Sequence, residues 1–324
     1  MSNVLTVESH LQNVVYSEDT SYIPSDFSLQ FINFIKMVNG TKGEENKSPV
    51  IHYQMLDQLP GKQANIANLC SRGLAKSAVF AEYLILYLAV YRKIPDFGEI
   101  DYMLYISDSI ENGVKKMRYR IERRRENSSF LSHYIPEVRF TDTRWYFKNI
   151  DGGELVCTGH GAKTGVRGTV ELNTRPQLAV LDDLISDDDA RSDTVIAAVE
   201  DTVYKAVDYA LHPSKHKKIW SGTPFNSRDP LYKAIESGAW ATNVFPICET
   251  FPCARKDFKG AWEDRFTYDY VKEKYETAIK LGKVDTFNQE LMLRIISDEE
   301  RMIQDCDINW YQRKNVLEHR GLFN

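Results

Sequence analysis

The sequence predicts an α/β protein whose sheet is mainly parallel and covered by helices on both faces. Three observations carry this. An apolar-alternating run, Ala64 to Leu69, leads through Cys70-Ser71-Arg72-Gly73-Leu74-Ala75-Lys76-Ser77 into the apolar stretch Ala78 to Tyr91, which is the order of a strand, a tight loop and a buried helix. A second apolar run, Leu178 to Leu181, ends in the paired acids Asp182-Asp183. The other strand-like runs alternate with helix-like ones, the pattern of parallel strands joined by crossover helices.

The chain has 324 residues, 43% of them hydrophobic and 27% charged. That is ordinary globular composition with enough length for one large or two ordinary domains. A net charge of −5 excludes a general polyanion binder, so any nucleic-acid contact must come from a local basic patch. Of the five cysteines, only Cys248 and Cys253 are close, with no second pair to complete a zinc site; scattered cysteines fit a reducing cytosol. No signal peptide is expected. The longest apolar run, near Ala78 to Val90, contains Glu82 and is too short for a membrane span, so no membrane partner is expected.

Residues 1–48 read as a polar extension with one amphipathic helix at Phe27 to Val38, and Gly40 to Lys47 as a charged loop. His52 to Leu56 opens a short helix. Its neighbours Tyr53 and Gln54 precede the first strand, and a glutamine there is either a surface residue or a reader of an adenine edge. The loop from Cys70 to Ser77 has the layout of a phosphate-binding loop, with backbone N–H groups and a helix N-terminus facing an anion. Lys76 would bind β- and γ-phosphates and Ser77 would hold Mg²⁺. Cys70 and Ala75 stand where two glycines are usual. A β–α turn with an incidental Lys-Ser is the alternative.

Tyr102 to Ser107 reads as a buried parallel strand. The helix expected from Ser109 to Arg125 carries seven cations, Lys115, Lys116, Arg118, Arg120, Arg123, Arg124 and Arg125. Contact with a phosphate backbone and a solvated helix face are both open for it. Arg144 to Phe147 and Glu154 to Cys157 read as strands joined through Asp151-Gly152-Gly153. Gly159 to Gly168 reads as a flexible, basic, glycine-rich loop suited to approach phosphate. Leu178 to Asp183 reads as a buried strand delivering carboxylates at its C-terminal end, where ligands of α/β sheets bind. Asp182 would hold Mg²⁺ through water, and Asp183 would polarise the attacking water. Asp187-Asp188-Asp189 read as helix-start residues, followed by a helix from Ser192 to Leu211. Lys217 to Pro224 is a strand ending in a small polar turn. Thr223 there is a γ-phosphate sensor or part of an ordinary turn. Thr242 to Ile247 is a further strand, and Tyr268 to Leu281 and Thr286 to Leu293 are helical.

Phosphoryl transfer needs positive charge on the γ-phosphate, and two arginines are placed for it. Arg72, inside the loop, can serve only its own subunit's nucleotide. Arg167, in the glycine-rich loop, can extend toward a neighbour's site as a finger in trans; the alternative is that it pairs with an acid such as Glu171.

The ordered series Tyr53-Gln54, Ser71 to Ser77, Arg167-Gly168, Leu178 to Asp183, Ser221-Gly222-Thr223-Pro224 and Phe287 to Leu291 resembles the ATPase domain of the large terminase subunit of tailed bacteriophages, over roughly residues 50–310. The resemblance implies a RecA-like P-loop NTPase fold of the additional-strand type: extension 1–48, ATPase core 49–254, helical lid or linker 255–324. It implies ATP and Mg²⁺ as cofactors, and ATP hydrolysis that drives double-stranded DNA into a procapsid in the host cytoplasm. Arg72, Lys76, Arg167 and Asp183 would be catalytic. Tyr53, Gln54, Ser71, Arg72, Gly73, Leu74, Ala75, Lys76, Ser77 and Thr223 would bind nucleotide. Ser77 and Asp182 would bind the metal. The partners implied are DNA, a portal protein, a small terminase subunit and copies of this chain in a homo-oligomeric, pentameric ring during packaging; in isolation a monomer is the alternative. The family often has Asp-Glu where Asp182-Asp183 stands. Its nuclease domain is expected to be absent here, in a fragment or a naturally split subunit. No acid after residue 250, such as Asp257, Glu263 or Asp264, ends a buried strand as a two-metal site wants. A helicase-like translocase, a non-hydrolysing nucleotide-binding scaffold and a small-molecule kinase are the alternatives.

Overall fold

The computed structural model describes residues 14–16, 21–40, 47–166 and 169–295. Arg167 and Gly168 lie outside the described residues, as does Cys306. The N-terminal helix α1 (Asp26–Asn39) starts where the Ser25 side chain accepts from the Ser28 N–H and stops at Gly40, whose φ is 57°. A short helix α2 (Val50–Asp57) leads to β1 (Asn65–Cys70). The helix after the Lys-Ser loop begins as π-helix over Ala78–Tyr83 and continues as α3 (Leu84–Tyr91). A two-stranded ribbon, β2 (Lys93–Ile94) with β3 (Gly98–Glu99), precedes β4 (Tyr102–Ser107). A π turn at Ile110–Val114 then opens the basic helix α4 (Lys115–Asn127), and α5 (Ser129–Tyr134) follows.

Next come β5 (Glu137–Phe140), β6 (Arg144–Lys148), β7 (Glu154–Gly161) and β8 (Leu178–Asp182). Helix α6 (Asp193–Asp201) runs on through a π turn, Thr202–Val207, into α7 (Asp208–Ala210). The chain continues through β9 (Lys217–Gly222), α8 (Pro230–Glu236) and β10 (Ala241–Phe245). It closes with α9 (Tyr268–Leu281), α10 (Val284–Phe287) and a π turn at Asn288–Met292.

The eight-stranded sheet has the order β10-β1-β9-β8-β4-β7-β6-β5. The first six strands are parallel, and β6 and β5 add an antiparallel edge. Alternation within each strand divides the core between two faces, as the period of two requires. Ile66, Met103, Tyr105, Leu178, Val180 and Ile219 face α1, α2, the 78–91 helix and residues 247–292. Ala67, Leu104, Ala179, Leu181 and Trp220 face the 193–211 helical run and α8.

Three expectations need correction, and one strand was missed. The strand that leads into Lys76-Ser77 and the strand that ends in Asp182, expected to be adjacent, are not neighbours, because β9 lies between β1 and β8. The glycine-rich segment does not begin as a loop. Gly159 to Gly161 are the end of β7, and a Cβ on Gly159 would meet Val114 Cγ1 at 2.2 Å, so that glycine serves helix–sheet packing. Asp188 and Asp189 do start a helix, but only the single 3-10 turn Asp189–Arg191, not the long helix that follows. Ser192 caps it by accepting from Val195 N–H, while Asp189 hydrogen-bonds to Ser186 and pairs with Lys163. The strand β5, a half-exposed edge without clear alternation, was not legible in the sequence.

Candidate functional site

The C-terminal ends of β1, β9, β8 and β4 form one edge, and the candidate residues converge there in a cleft of about 540 Å³. The loop after β1 supplies its floor. Ser71 N–H donates to Phe245 O (2.9 Å) and Arg72 N–H to Glu290 O (3.2 Å), which ties the loop to β10 and to the 288–292 turn. Gly73 has φ +90°, and a Cβ there would meet the Phe266 ring at 2.7 Å, so only glycine fits. Ala75 has φ 62°. The backbone thus takes the left-handed turn that glycine favours although a methyl group is present, a conformation that costs on the order of 1–3 kcal/mol for a non-glycine residue.

Lys76 Nζ lies 3.1 Å from Asp183 Oδ2 and 3.3 Å from Thr223 Oγ1. Burial works against its charge, but the Asp183 and Asp182 carboxylates outweigh it and hold the ammonium pKa above the usual lysine value. Ser77 Oγ donates to Asp182 Oδ1 at 2.8 Å, and Tyr105 OH donates to Asp182 Oδ2 at 3.1 Å. Asp182 is buried. Burial, with the neighbouring Asp183 charge adding to it, pushes its carboxyl up to about 6; Lys76, Ser77 and Tyr105 oppose that rise. Asp183 follows at φ 45°, its N–H bonded to Ser221 O at 3.0 Å, with its carboxylate half exposed to the cleft. Thr223 Oγ–H donates to Cys70 O at 2.8 Å, so one hydroxyl joins the end of β1, the β9 turn and Lys76.

Other expected residues sit differently. The Arg72 guanidinium is mostly exposed and stands 3.5 Å from the Glu290 carboxylate. Tyr53 and Gln54 lie on α2, outside the residues lining the cleft, and Gln54 Oε1 accepts from Val15 N–H at 3.0 Å. It is their neighbour His52 that reaches the loop: its Nε2 is 3.0 Å from Leu74 O. Burial holds this ring neutral, with its pKa lowered to about 4, so the N–H donates to the carbonyl. Glu171, considered as a partner for Arg167, is held by a fork from Arg144 at 2.9 and 2.9 Å. Sequence reasoning did not single out Tyr105, Asp108, Lys116, Arg120 or Glu290 for the cleft they line. The available signal was β4, which ends at the same edge as β8, with Ser107 in register with Asp182.

The cleft mixes four cations, Arg72, Lys76, Lys116 and Arg120, with five acids, Asp108, Asp182, Asp183, Asp187 and Glu290. Cations beside carboxylates suit a polyphosphate carried with a divalent cation. Ser71 Oγ is buried without a hydrogen-bond partner among the described residues. Ser77 and Asp182 are the pair that would hold Mg²⁺, which takes one or two protein oxygens and completes its shell with phosphate and water. Among the described residues no cluster of three or more His, Cys, Asp or Glu side chains could hold a metal ion, and no helix is long and apolar enough to cross a membrane.

The crystal structure of the HK97 bacteriophage large terminase matches this fold with a TM-score of 0.51 at 14% sequence identity, over 82% of this chain and 54% of that chain. At this identity the likeness is one of fold, and the fold is terminase-like. This chain spans about half the length of that structure. No protein-family model matches the chain, and no curated protein sequence matches it.

Proposed function

We propose that this chain is an ATP-hydrolysing motor domain of a large terminase, which moves double-stranded DNA into a procapsid. One observation carries the reading: Lys76, Ser77, Asp182, Asp183 and Thr223, from three neighbouring strands, meet within hydrogen-bond and ion-pair distance at one sheet edge. The terminase-like fold supports the packaging role.

In this reading the loop N–H groups and Lys76 bind the β- and γ-phosphates. Ser77 and Asp182 hold Mg²⁺, which supplies charge neutralisation on the phosphate oxygens. Tyr105 orients Asp182. Asp183 accepts a proton from the attacking water, and Thr223 reports the γ-phosphate to the end of β1. Arg72 serves the same subunit's nucleotide and Arg167 a neighbour's, which requires assembly of several copies. A portal protein and a small terminase subunit complete the proposed machine.

The test is steady-state ATP hydrolysis with and without Mg²⁺ and linear duplex DNA. Mg²⁺-dependent turnover that rises with duplex is expected. Nucleotide binding without turnover, under conditions where the chain assembles, would instead identify a non-hydrolysing scaffold.

A further inference from the structure

The residue that interrupts the longest apolar run, Glu82, has a role that the cleft does not use. Its side chain is 1% exposed and is clamped by two arginines of α4, Arg120 and Arg124. A lone buried carboxylate would be costly, and the pair of guanidinium groups compensates it. Arg124 also donates to Asn39 Oδ1 at 2.9 Å and lies 4.7 Å over the Tyr83 ring. Glu82 thereby fixes two guanidinium groups in place while using only part of their donor capacity, since each carries five N–H donors. These residues, with the exposed Arg123, line a hollow of about 370 Å³.

The remaining cations of α4 divide sharply. Lys115 is held by Glu111 (2.7 Å) and Asp142 (3.2 Å), Arg118 by Glu122 (2.7 Å), and Arg125 by the carbonyls of Ile135 (3.0 Å) and Pro136 (3.2 Å). Lys116 and Arg123 are exposed and make no ion pair with any described acid. Lys116, Arg120 and Arg123 follow the i, i+4, i+7 spacing of one helix face, which spans about 10 Å. Lys116 and Arg120 line the candidate cleft, and Arg120 and Arg123 line the hollow beside it. The result is a continuous row of four cations of which only Arg120 and Arg124 are ion-paired, both to the buried Glu82, in a chain whose net charge is −5.

We propose that this row, Lys116-Arg120-Arg123-Arg124, is a binding site for the phosphodiester backbone of a nucleic acid. A linear row of pre-oriented arginine forks suits successive phosphates, each able to accept two parallel N–H bonds. A single small anion would use only one end of it. Arg120 makes the site contiguous with the cleft, so backbone binding and cleft chemistry share a side chain.

The test is binding of a labelled linear DNA duplex by the whole chain at several salt concentrations, with no nucleotide present. The measurement therefore stands whether or not the chain hydrolyses ATP. Arg123→Ala should weaken binding and make the log–log salt dependence shallower by about 0.9, the share of one phosphate contact. Arg123→Glu should weaken it further, and Arg123→Lys should restore most of it. All three should keep the wild-type thermal midpoint, since Arg123 is exposed. Lys205→Ala, which removes an exposed cation on the other face of the sheet, should bind as wild type. Unchanged binding by Arg123→Glu, or equal weakening by Lys205→Ala, would overturn the assignment. Displacement of the duplex by inorganic phosphate at matched ionic strength would also overturn it, because the occupant would then be a free anion.

Discussion

The Lys76 ammonium stands 3.1 Å from the Asp183 carboxylate. A phosphate bound to Lys76 would compete with Asp183 for the same ammonium protons. In the proposed reaction, phosphate binding and release of the Asp183 carboxylate are therefore one event, and the base becomes available only when substrate is in place.

Asp183→Asn keeps the shape of the side chain and removes its basicity. Turnover should fall by at least about 100-fold, as expected for a lost general base, while ATP binding measured at equilibrium is retained. If Asp183→Asn hydrolyses normally and Asp187→Asn does not, the base is Asp187, which also lines the cleft.

Tyr105→Phe removes the hydroxyl that donates to Asp182 Oδ2. The ring remains to fill the core, so the fold should hold. Groups that orient a metal ligand typically contribute 10–100-fold in metal affinity or activity. The Mg²⁺ concentration for half-maximal hydrolysis should rise about 10-fold or more; an unchanged Mg²⁺ requirement would remove Tyr105 from the site.

Ala75→Gly should be tolerated and stabilising. Relief of the left-handed alanine is worth on the order of 1–2 kcal/mol, and the added chain entropy of glycine takes back about 0.5–1. A net gain of about 1 kcal/mol in urea unfolding is expected, with hydrolysis at or above the wild-type rate. A loss of stability would mean that the methyl group contributes packing that outweighs the strain.

His52 makes loop anchoring pH-dependent. Its folded pKa is depressed by burial to about 4, below the unfolded value of about 6.5. Its contribution to stability is therefore present above about pH 6.5 and is lost as pH falls toward 4. Full loss corresponds to about 3 kcal/mol. His52→Gln can still donate to Leu74 O but does not titrate. Between pH 7 and pH 4.5 the wild type should lose more stability in urea unfolding than His52→Gln; parallel losses would show that His52 does not charge on unfolding.

The fold was readable where burial imposes a period. β4 and β8 are apolar runs bounded by polar residues, and the helices flanking the sheet carry apolar faces, so their existence followed from pattern alone. The loop and the acidic strand were readable because the proposed chemistry would need Lys-Ser and Asp-Asp at element ends. What pattern could not give was proximity. β9 lies between β1 and β8 although it is the next strand after β8 and far from β1 in sequence. His52, Tyr105 and Glu290 belong to the loop and cleft only because the sheet order and the 288–292 turn bring them there. Gly159 illustrates the converse: glycines that suggested a mobile anion loop are, at that position, a packing requirement against Val114.

The central claim is that the Lys76 ammonium binds the phosphate whose transfer this cleft performs, and Mg²⁺-dependent ATP hydrolysis by Lys76→Ala tests it most directly. The account predicts turnover at background level, with a circular dichroism spectrum like that of the wild type and duplex binding through α4 intact. Wild-type turnover in that variant would contradict the account.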